Sequence, residues 1–203
     1  MRALLYILTA AAVLAAAFIV LRRAPAGLPP SSAPAADRVP AAPENREFMG
    51  RHGYMLKLPP NYTAVSSFAD SRKTQEVVYL APAGTDPGNF LNEGLYGPLG
   101  ILRLEVRHRE TPQGTVTPQV LKAGVLASLQ ARKAAYTVKD LEINGLAGFS
   151  ANVSAPFQSA QAFLVGGRHY YVLTGGPEEG AFMDVLTSLH ETAEGNPEDA
   201  GGN

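Results

Sequence analysis

Four histidines, His52, His108, His169 and His190, are the side chains best suited to proton transfer or metal ligation in a chain that contains no cysteine. Their spacing matches no established pattern. His190 opens "HETAE", which begins like the H-E-x-x-H zinc motif but carries Glu194 where the second histidine must stand. Ser150, in "GFSAN", lacks the closing glycine of a nucleophile elbow and sits in a hairpin-like stretch instead of a strand-to-helix turn. "LVGGRHYYVLTGGPEE", residues 164–179, sets two glycine pairs around His169. A phosphate loop needs a glycine-rich turn from strand into helix, followed by lysine and a hydroxyl. Here the first pair leads into a strand, and no lysine follows either pair. Glu178 and Glu179 stand at the start of the following helix, where they suit its dipole and repel an anion. Spacing therefore assigns no catalytic residue, no metal ligand and no cofactor, and His169 reads as a partly buried structural residue in a hairpin. The ligand-binding alternative is a cavity between sheet and helix near His108, His169 and Tyr171.

The elements that must position these side chains are visible as periodicities. "GYMLKLP" alternates Tyr54, Leu56 and Leu58 against Met55 and Lys57, and "EVVYLA" from Glu76 is an apolar strand. "ILRLEVRH" places Leu102, Leu104 and Val106 on one face and Arg103, Glu105 and Arg107 on the other, which predicts one wet face. From Thr117 to Ala135 a capping threonine, a proline at the first helical position and Leu121, Val125 and Leu129 at every fourth residue predict an amphipathic helix, with Val120 and Gly124 beside the stripe. Asn144-Gly145 suits a tight hairpin turn that needs positive φ, and Gly166-Gly167 is expected to do the same. With that second turn, Phe163 and Val165 share a face with Tyr170 and Val172, while Ala162 and Leu164 share the other with His169, Tyr171 and Leu173. Both faces are mainly apolar, so both need covering. A second helix in 177–193, with Phe182, Val185, Leu186 and Leu189 on a stripe, supplies one cover and the helix from Thr117 the other. The expectation is an α+β fold, a mainly antiparallel sheet between two main helices.

Ahead of this unit, Ala3 to Leu21 is uncharged and long enough to cross a bilayer as a helix. A cleaved signal peptide, with Ala24-Pro25-Ala26 as its cleavage site, is the competing reading. The expected organisation is a transmembrane anchor or signal segment over 1–23, an Ala/Pro-rich linker over 24–45, a globular domain over 46–192 and a disordered tail over 193–203. The linker's prolines favour an extended spacer. Arg2 opposes Arg22 and Arg23, so the positive-inside count leaves orientation nearly balanced and, if anything, favours a cytosolic domain. A net charge of −1 over 203 residues gives no signal for nucleic acid.

Taken in order, "GYMLKLPPNY", a central amphipathic helix, "INGLAGFSA", "FLVGGRHYYVLT" and a closing "FMDVLTSL" helix resemble the PsbP-like family over about residues 48–191. That family includes a photosystem accessory protein, a Ran-binding import factor and bacterial envelope proteins. The resemblance implies an α/β/α sandwich used mostly as a non-catalytic binding module. It also implies a domain outside the cytoplasm, here in the periplasm on a single-pass inner-membrane anchor. It transfers no functional residue.

Two segments are candidate partner surfaces. "APAGTDPGNFLNEGLYGPLG", Ala81 to Gly100, is long for a connection in a compact domain and carries Phe90, Leu91, Leu95 and Tyr96, which supply contact area. A calcium loop from Asp86, Asn89, Asn92 and Glu93 lacks the required spacing. Arg103, Arg107 and Arg109 form a basic strand face suited to an acidic partner or lipid headgroups. The chain is therefore expected to be a membrane-tethered, non-catalytic interaction or accessory domain of the cell envelope, with an envelope protein as partner. A small-ligand carrier is the alternative.

Overall fold

The structure, a computed structural model, describes residues 37–85, 100–111, 114–155, 158–176 and 179–192. The segment read as an anchor, most of the long loop with Phe90, Leu91, Leu95 and Tyr96, and the C-terminal tail lie outside the described residues. Among the described residues no helix is long and apolar enough to cross a membrane.

Eight strands form one sheet: β1 (Asp37–Val39), β4 (Tyr62–Phe68), β5 (Gln75–Pro82), β6 (Leu102–His108), β12 (His169–Gly175), β11 (Ser159–Val165), β10 (Leu146–Ala155) and β9 (Ala135–Ile143), in that spatial order. Every neighbouring pair is antiparallel. A smaller sheet joins β2 (Arg46–Gly50), β3 (Tyr54–Leu58) and β13 (His190–Glu191), with β3 in the middle. A short hairpin, β7 (Glu110–Thr111) with β8 (Gly114–Thr115), follows β6. Part of the stretch read as a linker is folded, because β1 pairs with β4 and Val39 accepts a 2.7 Å hydrogen bond from the Thr63 hydroxyl.

The two helices among the described residues take opposite faces. Helix α1 (Pro118–Ala131) starts at Thr117, whose hydroxyl accepts from the Val120 N–H at 3.3 Å. It presses Leu121, Val125 and Leu129 onto Phe149, Ala151 and Phe163. The Phe149 and Phe163 rings stack with centroids 4.8 Å apart. The helix stops four residues earlier than the pattern suggests, since Lys133 takes a φ of 53° and Ala135 already belongs to β9. Val120 is exposed, so the stripe is narrower than expected.

Helix α2 (Glu179–Ser188) and the β2–β3 pair cover the other face. Phe182, Val185, Leu186 and Leu189 meet Leu56, Leu58, Leu102, Leu104 and Leu164 in one cluster, all at 5% exposure or less. Each such side chain contributes about 1.5–3 kcal/mol by leaving water, which is why the small sheet and α2 stay docked. The closing meander is thus covered on both sides, as its two apolar faces require.

Two expectations are corrected. The face of β6 with Arg103, Glu105 and Arg107 is not open to water: Glu105 is only 8% exposed and both arginines are half-buried. The β11–β12 turn also falls one residue later than expected. Val165 pairs with Tyr170 and Leu164 with Tyr171, so Gly167 and Arg168 make the bend and the Gly166 N–H donates to the His169 carbonyl at 2.8 Å. The slip changes each pairing by two residues, which leaves every side chain on its predicted face.

Candidate functional site

At one end of the main sheet three histidines from separate elements converge. His108 closes β6, His169 opens β12, and the two are cross-strand partners. His52 comes over them from the turn between β2 and β3. Their ring centroids are 4.8 Å apart for His108 and His169, 5.0 Å for His52 and His169, and 5.2 Å for His52 and His108. One nitrogen from each ring lies within 4.8 Å of the others. His108 is exposed, His52 is half-buried, and His169 is 4% exposed.

His169 is the unusual member. Neither of its ring nitrogens has a hydrogen-bond partner, and a buried polar atom left so costs about 1–3 kcal/mol. Burial, reinforced by His52 and His108, pulls its pKa down to about 4. At neutral pH the ring is uncharged and one nitrogen offers a lone pair.

Beside it, Glu191 of β13 is fixed by four donors. Its carboxylate accepts from the backbone N–H groups of Gly167 at 2.9 Å, Arg168 at 3.3 Å and His169 at 3.2 Å, and from the Tyr171 hydroxyl at 3.1 Å. Burial works to raise this carboxyl's pKa, but those hydrogen bonds outweigh it and hold the group below its ordinary value. Burial, together with Glu191, pushes the Tyr171 phenol well up. The glycine pair that looks like a phosphate cradle is therefore an anion cradle already filled by the protein's own carboxylate. Neither glycine has positive φ. Gly166 is needed because a Cβ there would lie 2.3 Å from Glu191 Oε1.

Behind the cluster, Glu76 is fully buried and accepts from the Ser66 hydroxyl at 2.6 Å and the Arg51 N–H at 3.2 Å. The Tyr54 hydroxyl lies beside that carboxyl without closing a hydrogen bond, and burial first, then Glu76, raises its pKa. Ser66 and Glu76 are 1% and 0% exposed, so this hydroxyl–carboxylate pair is sealed from any substrate.

The structure brings His108, His169 and Tyr171 together, as the alternative ligand reading requires, and adds His52, which the sequence did not single out as a ligand. Tyr171 itself is 1% exposed, and its ring meets the Tyr54 ring edge-on at 5.7 Å. A shallow groove of about 420 Å³ lies elsewhere, lined by Asn45, Glu47, Lys57, Asn144, Asp184 and His190 among others. His190 stays apart from the cluster, with Nδ1 2.8 Å from the Ser188 carbonyl.

The three arginines read as a partner surface are all engaged within the domain. Arg103 and Arg107 both pair with Glu105, the latter at 2.6 Å, and Gln75 donates to the same carboxylate at 2.8 Å. Arg109 donates to the carbonyls of Val116 and Gly166 at 3.1 Å each, tying the β7–β8 hairpin to the β11–β12 turn.

No family model matches the chain, and no curated protein matches it. Among solved structures, the solution structure of cyanobacterial PsbP from Synechocystis sp. PCC 6803 is similar over 82% of this chain and 99% of that one, with a TM-score of 0.45 and 11% sequence identity.

Proposed function

We propose that the chain is a non-catalytic binding module of the cell envelope, tethered to the inner membrane through residues 3–21, that takes a small ligand at the histidine end of its sheet. One observation carries the reading: His169 is buried with both ring nitrogens unpartnered and faces two further imidazoles. Most buried side-chain polar atoms find a hydrogen bond, so an imidazole with neither nitrogen satisfied is left free to take a ligand. Support for a non-catalytic role is that Tyr171 and Glu191 are spent on each other and Ser66 is sealed. The tether and the periplasmic side rest on the apolar run and the Ala/Pro segment that follows it. An envelope protein as partner, through Phe90, Leu91, Leu95 and Tyr96, rests on the composition of that loop alone.

Native mass spectrometry of the full chain, extracted gently from membranes, tests the site. A retained non-protein mass that disappears in a His108→Ala/His169→Ala double variant supports the proposal, and identical bare masses for both proteins refute it. Alkaline phosphatase fused after Asn203 tests the side of the membrane, because it is active only outside the cytoplasm.

A further inference from the structure

We infer that the ligand is a divalent transition-metal ion, Zn2+ or Cu2+, held by His52, His108 and His169. This rests on the binding reading above and gives it a chemical identity.

The donor set decides the class of ligand. Three imidazoles with no thiolate anywhere in the chain suit zinc and copper, and they are poor ligands for calcium or magnesium, which require oxygen. The nitrogens already lie within 4.8 Å of one another. Around a tetrahedral ion with metal–nitrogen bonds of roughly 2.0–2.1 Å, donor atoms stand about 3.3 Å apart. Rotation of the side chains closes that gap, since His108 sits at a strand end and His52 in a turn. The backbone beneath them is fixed. His108 and His169 face each other across a strand pair, and the turn with His52 is anchored by the Thr192 N–H donating to the Gly53 carbonyl at 2.9 Å.

Glu191 gives the second, independent argument. A histidine that ligates a metal through one nitrogen usually directs the N–H of the other at a carboxylate, which fixes the tautomer and raises ligand strength. His169 Nδ1 lies 3.9 Å from Glu191 Oε1, and four donors prevent that carboxylate from moving away. In this assignment Nδ1–H turns toward Glu191, closing the present 3.9 Å separation, and Nε2 is left for the ion. A dication also balances the negative charge of Glu191, which no lysine or arginine pairs with through its side chain among the hydrogen bonds to that carboxylate. With three protein donors and His108 exposed, the fourth position on the ion opens to water or an incoming group.

The test uses the full chain, stripped with a chelator and titrated separately with Zn2+ and Cu2+ by calorimetry. One ion per chain is expected, with affinity falling at least about 100-fold in His108→Ala and in His169→Ala and unchanged in His190→Ala. Because His169→Ala can perturb folding, electron paramagnetic resonance of the Cu2+-loaded wild type provides a second reading and should show coupling to imidazole nitrogens from three rings. Stoichiometry well below one, equal affinity in His108→Ala, or coupling to a single nitrogen overturns the metal assignment. An organic mass retained at the site without metal uptake overturns it too, while leaving the binding reading in place. Neither metal nor retained mass overturns both.

Discussion

The carboxylate of Glu191 occupies the volume that any side chain at position 166 would need: a Cβ on Gly166 would stand 2.3 Å from its Oε1. Gly166→Ala must therefore push out a group pinned by four hydrogen bonds. It is expected to cost about 1–3 kcal/mol in urea denaturation. If the clash is the cause, the cost shrinks in a Glu191→Ala background, where the two changes couple by about 0.5–3 kcal/mol. Strict additivity would rule the explanation out.

Glu191→Gln keeps the shape of the side chain and removes its charge. Affinity for Zn2+ should drop about 10–100-fold, the usual loss when the carboxylate behind a ligating histidine is replaced. Calorimetry on the two full chains checks this, and circular dichroism confirms that both are folded. An unchanged affinity would mean that His169 binds without help from Glu191.

Asn144 does two things at once. It takes a φ of 51° in the β9–β10 turn, and its Nδ2 donates to the carbonyls of Thr187 and Leu189 at 2.9 and 3.0 Å, capping the end of α2. Asn144→Gly keeps the turn and loses only the cap, so about 1 kcal/mol of stability should go. Asn144→Ala loses the cap and adds strain from positive φ, so it should cost about 1 kcal/mol more than the glycine variant. Equal costs in thermal unfolding would show that the backbone conformation contributes nothing.

Asp70 closes the β4–β5 hairpin, accepting from the Thr74 N–H at 2.8 Å, the Thr74 hydroxyl at 2.6 Å and the Gln75 N–H at 3.0 Å. Slight burial works to raise its pKa, but the hydrogen bonds from Thr74 and Gln75 win and lower it below the ordinary 3.8. A carboxyl whose folded-state pKa is depressed adds stability that is complete above its unfolded value and is lost as pH falls through the folded one. Nuclear magnetic resonance should place the Asp70 midpoint below that of an exposed aspartate, and Asp70→Asn should flatten the acid limb of stability below about pH 4. A midpoint at the ordinary value would contradict the hydrogen-bond account.

How much of this was legible beforehand follows from how local each cause is. The Asn144-Gly145 turn, the Thr117 cap, the α2 stripe and the two-sided meander were readable because a few neighbouring residues determine each. The face assignment around Gly166-Gly167 also survived, although the reason for the glycines did not. Positive φ is a property of one residue, whereas the carboxylate that needs the space arrives from β13. For the same reason His52 was missed. Its partners belong to β6 and β12, and only the docking of the small sheet brings it to them. His108 and His169 were named as candidates because they lie on strands whose alternation could be read. The pairing of Arg103 and Arg107 with Glu105 was not legible, because periodicity locates a face without revealing which of its charges meet.

Among the described residues the strand order leaves β9 at the rim of the sheet, bonded on one side only. Lys139, Asp140 and Glu142 stand exposed along it. Another copy trying to extend the ladder would have to strip hydration from this mixed-sign fringe, so the domain is guarded against fibril-like growth at its longest open border.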